Sequence, residues 1–148
     1  LRDGEPQPSD VVLLDSAPAR GHTTRTALQL ADYVLVPAPP EPMGLLGLQF
    51  MFDVIDELRA DPQQGNPFLQ ILGVQPTLFD QRWPNHHAWV EEMRQFCDNR
   101  RVRIFPPIPR RQSYTSLSIA GQDYVPAANA IQEALVTHRA ALRRSHGR

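Results

Sequence analysis

The sequence predicts an α/β fold, a doubly wound and mostly parallel sheet with helices on both faces, in one domain over residues 1–148. Apolar segments with strand-like and helix-like spacing alternate along the chain, which is typical of parallel strands joined by right-handed helical crossovers. Prolines and glycines separate most of these segments. With 148 residues and 41% hydrophobic content, the chain is long enough to bury one core.

The first predicted strand is Val11–Leu14, four consecutive aliphatic residues that are followed directly by Asp15 and soon after by Pro18. Such a run predicts a buried parallel strand with a carboxylate at its carboxyl end, where open α/β sheets bind ligands. This position is typical of a Walker-B aspartate, which holds Mg²⁺ beside a phosphate-binding loop. The alternative is that Asp15 caps the turn before Pro18. The chain contains no lysine and no GxxxxGK[ST] motif, so only half of a nucleotide site is predicted.

Three predicted elements complete the first half of the chain. A helix is expected over Thr23–Ala31, because helix-compatible residues follow Gly21. Tyr33–Val36 is a second apolar strand, which the proline run that begins at Pro37 is expected to end. Met43–Ala60 is predicted to be a helix with a narrow polar stripe, so we expect it to be buried on more than one side.

The second half of the chain repeats the alternation. Leu69–Val74 and Val102–Phe105 are the third and fourth predicted strands, and His86–Asp98 is the helix between them. A last helix is predicted over Pro126–Arg144, where apolar residues recur at spacings of three and four and a proline lies in the first turn. Four strands separated by helices favour a parallel sheet.

Composition excludes several kinds of site. The single cysteine, Cys97, excludes a disulfide framework and is predicted to be a small buried residue in a reducing compartment. His86 and His87 are adjacent, so on a helix they cannot share a metal ion as an i,i+4 pair does. No apolar run is long enough for a membrane span, and we expect a cytoplasmic protein. Because the chain begins at Leu1 rather than at methionine, we expect it to be a piece of a longer chain.

Charge is distributed unevenly along the sequence. Residues 1–99 hold six arginines against fourteen acidic residues, a net charge of −8, whereas residues 100–148 carry a net charge of +7. A basic segment favours a polyanion as partner, since neutralised phosphates release counterions. The alternative is a solvated arginine surface.

The order of the motifs resembles that of the ParA/MinD-type partition ATPases, specifically the ParA branch. The matching segments are Val11–Pro18, Ala31–Glu41, Gly47-Leu48, Leu72–Asp80 and the "IPR" loop Ile108–Arg110. The resemblance implies a P-loop NTPase-like fold that is incomplete at the N-terminus, the carboxyl-terminal part of a ParA-like ATPase domain without its Walker A motif. It implies an ATP-dependent dimer that acts in plasmid or chromosome partition, on the nucleoid, with a ParB-like partner bound at a centromere.

The resemblance also assigns residues to the nucleotide. Asp15 would be the catalytic residue and would hold Mg²⁺ through water, while Pro109 and Arg110 would lie against the adenine ring of ATP. Thr77 and Asp80 would border the base; each has the alternative role of capping the next turn. Without a phosphate loop we expect this chain alone neither to bind ATP tightly nor to hydrolyse it.

DNA contact is the other implied property. Arg82 matches one family arginine that contacts DNA without sequence preference. At the position of a second one the chain has Ser113, and Arg111 is close enough to replace it. Arg100 and Arg101 would widen this basic surface. The alternative function is a non-catalytic interaction or positioning module with the same fold.

Overall fold

Helices and strands alternate in the computed structural model, which describes residues 12–16, 21–110 and 124–137. The order of elements is α1 His22–Leu30, β1 Tyr33–Ala38, α2 Pro42–Ala60, β2 Gln70–Pro76 and α3 Pro84–Asn99. A further helix, α4, covers residues 124–137. The predicted helices are thus confirmed to within two residues at each described end, and the remainder of the last one lies outside the described residues.

The sheet is parallel, as predicted. β1 pairs with β2 from Tyr33 opposite Gln70 to Ala38 opposite Pro76, with a register shift after Val34. The predicted strand Val102–Phe105 is reduced to a parallel bridge between Ile104 and Val74. The prolines that follow it lack the N–H groups that a longer ladder requires.

β1 is longer than predicted, because it continues through Pro37 to Ala38. The expectation that Pro37 ends the strand was wrong. Among the described residues only one edge of β1 is paired, so the absent N–H of a proline can face the other edge without breaking a ladder bond. The backbone N–H of Thr77 donates to the Ala38 carbonyl at 3.0 Å, which ties the carboxyl ends of the two strands together.

The segment before α1 corrects a second prediction. Val12, Leu13 and Leu14 form no ladder and are 77%, 89% and 50% exposed. A strand requires a partner, and no strand in the described part of the chain lies beside this segment. The prediction of a buried strand was therefore wrong for 12–14, and Val11 lies outside the described residues.

Helices cover both faces of the sheet, as predicted. The larger core cluster joins Val36 and Val74 to apolar residues of α1, α2 and α3, which include Leu28, Leu48, Phe52, Ile55, Leu58, Met93 and Cys97. The smaller cluster joins Leu72 and Phe105 to Ala134 of α4. Side chains alternate between faces along a strand, so Val34 and Val36 of β1 enter the larger cluster and Tyr33 and Leu35 the smaller one. In β2 the register shift falls at Leu72, which therefore enters a different cluster from Val74. Burial of each large side chain contributes about 1.5–3 kcal/mol.

The segment 102–105, which is bridged to β2 through Ile104, lies very close to Gly73 of β2. A Cβ atom at Gly73 would stand 2.5 Å from the Phe105 ring and 2.7 Å from the Arg103 carbonyl oxygen. No larger residue fits there without moving the backbone of the neighbouring segment. Glycine at position 73 therefore allows the carboxyl-terminal motifs to approach the centre of the sheet.

Candidate functional site

Two of the sequence motifs lie side by side at the carboxyl end of the sheet. Phe79 and Pro109 form a parallel bridge, in which the Phe79 N–H donates to the Ile108 carbonyl at 3.0 Å and the Arg110 N–H donates to the Phe79 carbonyl at 2.7 Å. The Ile108 N–H also donates to the Pro76 carbonyl at 2.9 Å. The segment that ends at Asp80 and the "IPR" loop are therefore joined by backbone hydrogen bonds into one rim.

A buried amide strengthens this junction. Gln75 is 2% exposed, and its Nε2 donates to the carbonyl oxygens of Pro106 at 2.7 Å and of Pro76 at 3.0 Å. Its Oε1 is buried and accepts no hydrogen bond among the described residues. Pro76 of β2 has no N–H to donate to the proline-rich segment, and the Gln75 side chain supplies a donor to the Pro106 carbonyl instead.

Asp80 and Arg82 form the principal ion pair of the rim. Arg82 Nε donates to Asp80 Oδ1 at 3.0 Å and Nη2 to Oδ2 at 2.7 Å, a two-pronged geometry. The Arg82 backbone N–H also donates to Oδ1 at 3.0 Å. These hydrogen bonds, from the Arg82 side chain and then from its backbone, lower the pKa of Asp80 to about 2. The Asp80 side chain is 12% exposed, whereas that of Arg82 is 76% exposed.

His86 and His87, near the start of α3, form hydrogen bonds to the turn that contains Asp80. The Asp80 backbone N–H donates to His86 Nδ1 at 3.0 Å, so this nitrogen carries no proton. His87 Nε2 lies 3.2 Å from the Gln81 carbonyl oxygen, to which it donates. The ring of His87 also packs edge-on against Phe79 at 5.0 Å. Sequence reasoning treated this pair only as an unsuitable metal site and missed its role, although its place just after a turn was a usable signal.

A pocket of about 240 Å³ opens at this rim. Its lining residues are Asp80, Arg82, Trp83, His86 and Arg110. The structure thus brings together Asp80 and Arg110, predicted to contact the nucleotide, and Arg82, predicted to contact DNA. Thr77 and Pro109, also predicted to lie at the base, are not among the lining residues; Thr77 bonds to the end of β1 and Pro109 bridges to Phe79.

The other predicted site residues are elsewhere. Asp15 is exposed, in the segment that pairs with no described strand. Arg111 lies outside the described residues. Within 12–16, 21–110 and 124–137 there is no group of three or more histidine, cysteine or acidic side chains that would hold a metal ion. Mg²⁺ retains several waters and takes one or two carboxylates plus substrate phosphates, so Asp15 fits it only as a single ligand.

Arg100 and Arg101 lie at the opposite end of α3 from Arg82. The helix has 16 residues, a length of about 24 Å. Arg100 Nη1 donates to Asp56 at 2.6 Å, and its guanidinium lies over the Phe52 ring at 5.4 Å. Arg101 is exposed and has a φ of 55°. Of the predicted DNA-binding arginines that the structure describes, Arg82 is therefore separated from Arg100 and Arg101 by the length of α3.

None of the described helices has the length and apolar character needed to cross a membrane. Cys97 is buried, as predicted, and burial raises the pKa of its thiol to about 11.

Known proteins resemble this chain in sequence. A family model described as an AAA domain matches residues 6–71. IncC from Escherichia coli is 40% identical over 77 residues, which cover 52% of this chain and 20% of IncC. The chromosome partitioning protein ParA from Myxococcus xanthus is 34% identical over 98 residues, which cover 66% of this chain and 34% of that protein. The chain therefore spans well under half the length of these curated relatives.

Solved structures resemble it in fold. Apo McdA from Cyanthece superposes with a TM-score of 0.66 at 23% identity, over 82% of this chain and 51% of McdA. Cobyrinic acid a,c-diamide synthase from Mycobacterium smegmatis, with bound ADP and magnesium, gives a TM-score of 0.53 at 27% identity, over 72% of this chain and 41% of that one. These likenesses confirm the predicted fold class, an α/β fold of which the chain contains a part.

Proposed function

The chain is related to the ParA/MinD-type partition ATPases, as its motifs predicted, and we propose that it is the carboxyl-terminal part of an ATPase domain that segregates plasmid or chromosomal DNA. The relation to IncC and to a chromosome partitioning ParA supports this class. We place the protein in the cytoplasm, on the nucleoid, as an ATP-dependent homodimer with a ParB-like partner bound at a centromere.

The observation that carries the proposal is the pocket between the two motifs. Asp80 offers only acceptor oxygens, which suit the exocyclic amine of adenine. Arg110 offers a planar guanidinium that stacks on a ring, and Pro109 offers an apolar face. Thr77 borders the same rim. The bound ADP of the synthase, a structural neighbour, supports a nucleotide as the ligand.

Asp15 is the proposed catalytic and magnesium-binding carboxylate, acting through water. When bound with ATP, Mg²⁺ neutralises charge on the phosphates. The lysine and loop amides that contact phosphates in P-loop proteins are absent from this sequence, so the chain by itself would not hydrolyse ATP.

DNA contact is assigned first to Arg82 and Arg111. Arg82 is largely exposed beside Arg110, and Arg111 follows in the sequence. Phosphate contacts tolerate loose geometry, so a short row of arginines suffices for non-specific binding. Arg101 and Arg100 would add a second contact at the far end of α3, where the ion pair of Arg100 with Asp56 competes with DNA.

Two measurements on the full protein test this function. Replacing Asp80 with alanine should weaken ATP binding, as measured by calorimetry, because the acceptor for the base amine is lost. Replacing Arg82 with alanine should weaken binding to arbitrary duplex DNA and reduce the salt slope by about one. Arg94→Ala is the matched control, because Arg94 is also an exposed arginine paired with an acid nearby in sequence. Unchanged binding in both variants would contradict the assignments.

A non-catalytic interaction module is the second candidate. The absence of lysine and of any phosphate loop favours it. Full protein that binds no Mg-ATP but still binds its partner would establish the module instead.

A further inference from the structure

Asp80 and Arg82 form an ion pair at the rim, and the proposed function gives them different ligands. Asp80 is assigned the base of the nucleotide, and Arg82 is assigned DNA. Both side-chain contacts of Arg82 with Asp80 use the edge formed by Nε and Nη2. That edge is the one with which a guanidinium binds phosphate in two-pronged fashion. While the pair is closed, Arg82 cannot offer this edge to DNA.

We propose that the Asp80–Arg82 pair couples the two sites by competition: a base amine that engages Asp80 releases Arg82 for a DNA phosphate. The inference rests on the proposed function, because it requires a base at Asp80 and DNA at Arg82. It goes further because it gives Asp80 a second role. In the absence of nucleotide, Asp80 inhibits DNA binding by holding the Arg82 guanidinium.

The backbone allows this exchange without rearranging the turn. Asp80 is held by its N–H to His86 Nδ1 at 3.0 Å, and its carbonyl accepts from the Trp83 N–H at 3.1 Å. The His86 N–H in turn donates to the Trp83 carbonyl at 2.9 Å. None of these bonds involves the Arg82 guanidinium, so only that side chain has to move.

The exposure of the two partners makes the exchange feasible. Arg82 is 76% exposed, so a DNA phosphate can approach its guanidinium from solvent and exchange with the carboxylate. Arg110 lines the same pocket, and a second cation beside the base would favour phosphate at this rim.

Asp80→Asn is the decisive change, tested in the full protein without nucleotide. Asparagine retains an oxygen that can accept the Arg82 backbone N–H, but it lacks the charge that holds the guanidinium. We expect DNA affinity to rise roughly three- to tenfold, because a charge-assisted contact to phosphate replaces one to carboxylate. Adding Arg82→Gln should abolish the gain. In the wild type, ATP should raise DNA affinity, and in Asp80→Asn this ATP effect should be smaller.

Glu91→Gln is the matched control. It removes the same charge and frees Arg94 from an ion pair of 3.5 Å on the exposed surface of α3. An equal gain in this control would overturn the inference, because it would reflect net charge alone. Circular dichroism of each variant verifies that the fold is retained.

The outcomes separate the inference from the proposed function. If Arg82→Gln alone weakens DNA binding with ATP present but Asp80→Asn does not strengthen binding without nucleotide, the DNA contact stands and the competition is wrong. If Arg82→Gln has no effect on DNA binding with ATP present, the proposed contact fails and the inference fails with it.

Discussion

The two ends of α3 use arginine in different ways. At the start of the helix, Arg82 pairs with Asp80, two residues away in sequence, and most of its side chain is in solvent. At the end of the helix, Arg100 pairs with Asp56, 44 residues away, and its guanidinium lies over two aromatic rings. The first arginine is exposed to solvent, whereas the second joins α3 to α2. The more exposed of the two lies in the acidic part of the sequence and the less exposed one in the basic part, so the net charge of a segment does not indicate which arginines reach solvent.

The largest expected effect comes from removing the ring beneath Arg100. Phe52 is 1% exposed and packs edge-on against Phe96 at 5.1 Å. Phe52→Ala should lower the free energy of unfolding by about 3–5 kcal/mol, because it leaves a cavity between α2 and α3. Urea denaturation measures this. Phe68→Ala, at an 84% exposed position, is the control and should change it by less than about 0.5 kcal/mol.

Arg100→Ala should have the next largest effect. The change removes the ion pair with Asp56 and the stacking on Phe52. We expect the free energy of unfolding to fall by about 1–2 kcal/mol, a range that already allows for the 36% exposure of the side chain. Arg82→Ala should cost less, because that guanidinium is 76% exposed and packs on no aromatic ring among the described residues. Equal losses in the two variants would contradict the difference between the two ends of the helix.

Substitution of His86 tests what holds the turn at Asp80 in place before α3. His86→Ala removes the acceptor of the Asp80 N–H, so exchange of that amide with solvent should become roughly three- to tenfold faster. Hydrogen exchange followed by NMR measures this rate. His86→Asn should restore slower exchange, because its side-chain oxygen can accept the same bond. Equally fast exchange in both variants would argue that packing of the ring, rather than the bond, holds the turn.

The smallest effect is a dependence of stability on pH. The pKa of Asp80 falls to about 2 in the folded protein from a usual 3.8. A lowered pKa means that this contribution is present above about pH 4 and is lost as the pH falls through 2. Thermal unfolding between pH 2 and 5 should show a steeper loss in the wild type than in Asp80→Asn. Identical slopes would mean that Arg82 does not stabilise the carboxylate.

Much of the fold follows from local sequence patterns. The helices of the first hundred residues and the approximate positions of β1 and β2 could be predicted, because apolar spacing specifies them locally. The strand expected at 12–14 could not, since its burial depends on a neighbouring strand. The same distinction, between features set by nearby residues and features set by distant ones, applies to the ion pairs of the two arginines. The Asp80–Arg82 pair lies within one turn, but the pairing of Arg100 with Asp56 depends on how two helices pack.

The proline-rich segment beside β2 has a consequence for solubility. Pro106, Pro107 and Pro109 follow Phe105 on the far side of β2 from β1, and in the described part of the chain no further strand lies beyond them. An outer strand with few N–H donors is a poor template for pairing with another molecule. The Gln75 amide attaches this segment through a side chain instead. In the described part of the chain, this side of the sheet therefore offers few backbone donors for pairing with another molecule.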